Sequence, residues 1–439
     1  MTKYLCIVIL FTTVLPRVSF AQDLNKTKLD SLFTSLAANK QAMGSIAISK
    51  KGNLVYRKTI GYSQYSNEKK VLSSENSKFR IGSISKIFTA TIIFQLIEEG
   101  KIDLATPLEK YFPDFPNSNE ITISNLLNHR SGIRNMTKIA SKTRPRTHEE
   151  MLTIIAETPF KYEPGTKSSY SNSNYLILGY IIEKVCNRPY EEVLLERIVS
   201  RIGLANTYYG HTTNVEKNEC FPFRFKKDWE QQPQTDLSIP GASGAIVSTP
   251  GDLVVFIEAL FSKKLINENS LTLMKTITNG YGMGLREFEF DKKKAYGYIG
   301  GIDRYESVLA YFPSDSLAIA YCANGRVYPT GSIVMGSLEI CFNLSYSIPD
   351  FKSSSVNTGR LKKYTGIYTS SELPLTIKIS RQKKNLVAEA DGYSPYTLEA
   401  VGSDKFKSDE VSVAIEFDPP KNAMKLKRGD QSYYFYKCQ

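Results

Sequence analysis

The chain has 439 residues, 41% of them hydrophobic, which is enough for two or three sizeable cores. Its formal charge is +12, yet the lysines are scattered in groups such as Lys292-Lys293-Lys294 and are not gathered with aromatics into a stripe. That argues against a nucleic-acid partner and leaves at most a loose association with an anionic cell envelope. The three histidines (His129, His148, His211) make no zinc-hydrolase pattern and the cysteines no Cys-x-x-Cys pair, so neither a metal nor another cofactor is expected.

In chain order, residues 1–21 carry Lys3, an apolar run from Tyr4 to Leu15 and then Ser19-Phe20-Ala21. This is the layout of a secretory signal cut near Ala21, so the expected location is the periplasm or the exterior. No later apolar run reaches the ~18 residues of a membrane span, so no transmembrane segment is expected in the mature chain. Five cysteines remain after such a cut, Cys186, Cys220, Cys322, Cys341 and Cys438, and their odd number and wide spacing imply no disulfide framework. Asp23 to Asn39 predicts an amphipathic helix, and Gly44–Lys50 and Leu54–Ile60 predict two strands around a Lys51-Gly52-Asn53 turn.

Residues 100–240 are rich in helix patterns, broken at His129-Arg130-Ser131-Gly132 and Glu163-Pro164-Gly165-Thr166. Strand-like runs return over 282–326, notably Glu306–Phe312 and Leu317–Cys322. A sheet built from both ends, with helices inserted between, predicts an α/β (α+β) body with a helical subdomain over 22–348. Polar residues 349–359 read as a linker. Residues 360–439 carry short alternating strands and predict a small antiparallel β domain.

The most informative segment is Ser83-Ile84-Ser85-Lys86, which places a hydroxyl and an ammonium on one helix face at i and i+3. A serine is a weak nucleophile unless a neighbour takes its proton, and a desolvated lysine can do so at neutral pH. The helix that follows, to Glu98, is apolar almost all round and should be buried, so a lysine in its first turn needs a reason. Ser83 as a plain cap with Lys86 reaching the surface is the alternative that this segment alone leaves open. A second Ser-x-x-Lys, Ser66 to Lys69, lies in a polar stretch that reads as a loop.

Tyr170-Ser171-Asn172 follows Pro164-Gly165-Thr166 and runs into an apolar helix pattern from Leu176. With Ser83-x-x-Lys86, and with Leu126–Gly132, Ser248–Leu253 and Tyr281–Gly284 in matching order, it resembles the class C β-lactamase and penicillin-binding-protein-like serine hydrolases (peptidase S12-like) over about residues 30–345. The C-terminal β domain resembles the lipocalin-like appendix of some members. The resemblance implies a β-lactamase-like antiparallel sheet flanked by helices. It also implies an acyl-enzyme at Ser83, proton traffic shared by Lys86 and Tyr170, and Asn172 orienting Lys86 and the substrate. Tyr170, ordinarily near pKa ~10, is then expected to be pulled down by the lysine.

The family's third motif, Lys-Thr-Gly or His-x-Gly, is met here by Tyr298-Ile299-Gly300-Gly301, so Tyr298 stands in the Lys/His position. Gly300 and Gly301 keep close backbone approach for an oxyanion donor. Arg304 is the cation that could replace the lost charge, against the alternative of a solvated loop arginine. The expected function is a secreted serine hydrolase of carboxypeptidase, esterase or β-lactamase type, acting on small esters, amides or D-amino-acid peptides. The alternative is a penicillin-binding-like sensor with little or no turnover. His129 is expected to be structural, and the C-terminal domain is expected to shape or cover the cleft.

Overall fold

The computed structural model describes residues 24–135, 144–349, 351 and 358–438, apart from short stretches at 374, 383–384, 392–394, 401–403, 409–410, 412 and 429–430. The expected signal at 1–21 and most of the linker fall outside the described residues.

Six antiparallel strands form the body's sheet, in the order Arg286–Phe290, Lys293–Ile302, Tyr305–Phe312, Leu317–Arg326, Ala42–Lys50, Asn53–Ile60. The two ends of the body therefore meet in mid-sheet, where Ala42–Lys50 pairs with Leu317–Arg326. Both of these strands are buried nearly throughout because the sheet is covered on both faces. The period-2 alternation of a strand divides their side chains between two cores: Ala318, Ala320 and Cys322 face one, while Leu317, Ile319, Tyr321 and Ala323 face the other. Helices Lys26–Ala38 and Thr330–Cys341 close the second core. The first, larger core holds the inserted helical region.

At the centre of that larger core runs the helix Ser85–Glu98, with every residue from Ser85 to Leu96 buried. Its apolar circumference is the reason: a helix without a polar face is stable only inside a domain. Packed beside it are the helix Asn172–Cys186 and the short turn Gly241–Ser243. Among the described residues no helix is long and apolar enough to cross a membrane.

At the C-terminus, eight strands from Gly366–Thr369 to Gln431–Lys437 close into an antiparallel barrel. Alternation again sorts the residues: Val413, Ile415 and Phe417 point in, Ala414 and Glu416 out. The interior is filled by the barrel's own side chains, including Phe406, Phe417, Met424 and Phe435, with Tyr364 from the preceding turn packed edge-on to Phe406 at 5.0 Å and tilted against Phe417 at 4.7 Å. The small antiparallel β domain expected from the sequence is thus a closed eight-stranded barrel with a packed core.

Candidate active site

Two glycines bring the sheet edge against the start of the central helix. Gly82 has φ +52°, and a Cβ there would stand 2.8 Å from the amide nitrogen of Gly301. A Cβ on Gly300 would collide with the carbonyl oxygen of Ile81, which already accepts a hydrogen bond from the Ser307 hydroxyl at 2.7 Å. Only hydrogen side chains allow this approach. It sets the Gly82–Ile84 turn, and with it Ser83, directly against Gly301.

The chain delivers the partners of Ser83 from the N-terminus of the Asn172–Cys186 helix. His129, held at φ +60°, accepts an N–H from Ser169 on its carbonyl at 2.9 Å and one from Ser171 on Nδ1 at 3.3 Å. These two bonds fix the extended segment that presents Tyr170. Burial disfavours the charged imidazolium and holds the His129 pKa well below the ordinary histidine value, so it serves as a neutral acceptor. Its ring lies 4.8 Å from that of Tyr170. These contacts place His129 among the residues that hold the Tyr170 segment.

Ser83, Lys86, Tyr170 and Asn172 form one hydrogen-bonded group. The Ser83 and Tyr170 hydroxyl oxygens are 2.5 Å apart, and Tyr170 donates to Asn172 Oδ1 at 2.8 Å. Lys86 Nζ has three neighbours: Asn172 Oδ1 at 2.7 Å, the Ser243 carbonyl at 2.7 Å and Ser83 Oγ at 3.1 Å. The two carbonyl oxygens can only accept, so they fix two of the N–H bonds. The third is directed at Ser83 Oγ. Complete burial disfavours the ammonium and holds the Lys86 pKa well below the usual lysine value.

Tyr170 departs from the expectation. Burial is the largest influence on it and pushes its pKa up to about 12, against a smaller lowering by the bond to Ser83. The expected lowering rested on a neighbouring ammonium, and desolvation disfavours both the phenolate and that ammonium. Burial thus moves the two groups in opposite directions, the lysine down and the tyrosine up.

A cavity of about 480 Å³ opens beside Ser83, lined by Asn172, Ser243, Gly301 and Arg304 and flanked by Arg224 and Arg326. Arg326 is paired with Glu306, and Asp303 with the buried Arg80 at 3.5 Å. Arg304 is exposed at this mouth. Tyr298 does not line the cavity: it is buried, and its hydroxyl has no hydrogen-bond partner among the described residues. Gly300 lies behind Gly301. No described residue of the C-terminal barrel lines the cavity, so the expectation that this domain shapes the cleft finds no contact here.

Two contributors escaped the sequence reading. Ser243, in a Gly-Ala-Ser-Gly stretch without the spacing of a nucleophile elbow, anchors Lys86 through its backbone, which no side-chain motif encodes. Arg286 sits 5.6 Å over Tyr281, whose ring is stacked 6.4 Å from Tyr170. It pairs in the sheet opposite Gly297, next to Tyr298, and so brings a cation near the position where the third motif lacks one. Among the described residues no cluster of metal-ligating side chains occurs.

A serine hydroxyl, a buried amine and a phenol meet on a helix-covered antiparallel sheet, an arrangement of the serine-hydrolase class. The Beta-lactamase family model matches residues 29–335, and the chain belongs to that family. PbpX of Bacillus subtilis (strain 168), provisionally named a penicillin-binding protein, is 30% identical over 244 residues, 55% of this chain and 61% of its own length. A second penicillin-binding protein of that organism is 24% identical over 443 residues, covering 91% of this chain and 96% of its own. Among solved structures, the D-amino acid amidase of Ochrobactrum anthropi SV3 shares 25% identity and a TM-score of 0.67 over 73% of this chain and 99% of its own. An octameric penicillin-binding protein homologue from Pyrococcus abyssi, 24% identical, shares the fold over 94% of this chain and all of its own, with a TM-score of 0.68.

Proposed function

We propose that this protein is an exported hydrolase that forms an acyl-enzyme at Ser83 on small esters, amides or D-amino-acid peptides. The observation that carries the reading is the Ser83–Lys86–Tyr170–Asn172 group, in which the buried amine faces the serine hydroxyl. Lys86 takes the proton as Ser83 Oγ attacks the carbonyl carbon. The backbone N–H groups of Ser83 and Gly301 face the developing oxyanion. Tyr170, an acid with a raised pKa, hands its proton to the leaving group and is reprotonated from Lys86. Water then releases the acyl group by the same steps in reverse.

Arg304 and Arg224 at the mouth favour substrates with a negatively charged end. A free carboxylate on a peptide or amino-acid derivative meets that description. The name of the amidase neighbour agrees with an amide of a D-amino acid as the bond attacked.

Intact-mass measurement tests the reading: wild type and Ser83→Ala are exposed briefly to a penicillin and to p-nitrophenyl acetate. An adduct on the wild type alone, decaying within the assay, is the expected result. An adduct that persists would favour a sensor, a reading that the missing third-motif cation keeps in play. No adduct and no released nitrophenol would overturn acyl transfer at Ser83.

A further inference from the structure

The turn Gly241–Ser243 stands between two cavities. Ser243 lines the one beside Ser83, while Gly241 and Ala242 line another of about 250 Å³. The walls of the second are aromatic: Tyr190 and Tyr209 lie 5.9 Å apart at 65°, and Tyr180 carries the His148 ring at 4.2 Å. Tyr180 is buried, and its hydroxyl has no hydrogen-bond partner among the described residues. The charged side chains that act on these three phenols are Glu183, Glu191, Asp236 and Glu149, all carboxylates. Two of these carboxylates meet a histidine ring, Glu183 that of His148 at 3.1 Å and Glu191 that of His211 at 3.0 Å, and the nearby Arg146 is paired with Glu150 at 3.8 Å.

We propose that this cavity is a second ligand site, for a small organic ammonium ion with an apolar body. Ring faces and carboxylates attract a cation where a neutral molecule of the same shape gains only apolar contact. The basic mouth beside Ser83 repels the same ligand. A hydrogen-bonded path also leads from this cavity to Lys86. The Tyr190 hydroxyl lies 2.7 Å from Thr89 Oγ1, which donates to the Ala242 carbonyl at 2.7 Å. Thr89 follows Lys86 by one helical turn, and the next carbonyl, that of Ser243, holds Lys86. The binding claim stands independently of the hydrolase reading.

Calorimetric titration of the full chain with benzylamine, and with benzyl alcohol as its neutral counterpart, tests the site. Wild type and Ser83→Ala should bind benzylamine alike, and benzyl alcohol about tenfold more weakly or worse. Glu191→Gln, at a half-exposed position, should weaken benzylamine about three- to tenfold, and Tyr209→Leu by at least as much, with circular dichroism confirming the fold. Equal binding of the two probes, no binding of benzylamine, or wild-type affinity in both variants would overturn the proposal.

Discussion

The hydrolase body and the C-terminal barrel enclose their interiors in opposite ways. The body buries Arg80, Lys86, His129, Asn174 and Asn324, each with hydrogen-bond partners. In the barrel, Ser408 is the only buried polar side chain among the described residues, and aromatic and aliphatic groups fill the rest. Burying an ionisable group costs free energy unless a network compensates it. The body tolerates that cost where desolvation disfavours the ammonium form of Lys86 beside a serine hydroxyl, and among the described residues the barrel buries no lysine, arginine, histidine or carboxylate side chain. Each has its own core, and among the described residues only the body buries such side chains.

Removing the buried amine should break the contrast most sharply. Lys86→Met should lower acylation by about 10³-fold or more, as expected for a lost general base next to the nucleophile. Burst kinetics on p-nitrophenyl acetate measure it, and a loss under tenfold would remove Lys86 from the chemistry.

The pH dependence sharpens the same point. Burial depresses the Lys86 pKa, so acylation should rise with pH as its proton leaves and level off well below the ordinary lysine value. In Lys86→Met that limb should vanish. Stability follows with a definite sign. Between the depressed folded pKa and the unfolded value the unfolded chain binds more protons, so this group's contribution rises with pH across that window. Denaturant midpoints of wild type and Lys86→Met, compared at several pH values below 10, should diverge accordingly.

His129→Gln should separate support from catalysis. Losing the acceptor of the Ser171 N–H inside the core should cost about 1–3 kcal/mol, read as a lower melting temperature. The folded fraction should retain turnover within about tenfold. Loss of all turnover at wild-type stability would instead make His129 catalytic.

The barrel offers a smaller effect. Lys407 lies over Tyr328 and Phe351 of the body at 5.9 Å each, away from the cavity. Deleting residues 360–439 should leave kcat/KM on a small ester within about twofold, well under the tenfold that 1.4 kcal/mol would produce. A larger change would give the barrel a part in substrate handling. Smallest of all is Tyr298→Phe. Its hydroxyl has no partner among the described residues, so removal should leave stability unchanged or raise it by up to about 1 kcal/mol, with little change in rate.

Much of this arrangement could be read from residue order. The apolar circumference of the 85–98 helix announced its burial, and that burial made Lys86 conspicuous one turn after Ser83. Alternation in 413–417 and in the other late segments announced strands, because the pleat sends successive side chains to opposite faces. What the chain could not announce was anything made between distant segments. Barrel closure depends on the pairing of Tyr368 and Thr369 with the last strand. The grip on Lys86 comes from a backbone carbonyl 157 residues away, which carries no side-chain signature. The protonation of Tyr170 was misjudged for the same reason. Sequence shows which charges lie nearby along the chain, but desolvation is set by what the fold packs around a group, and here it outweighs them.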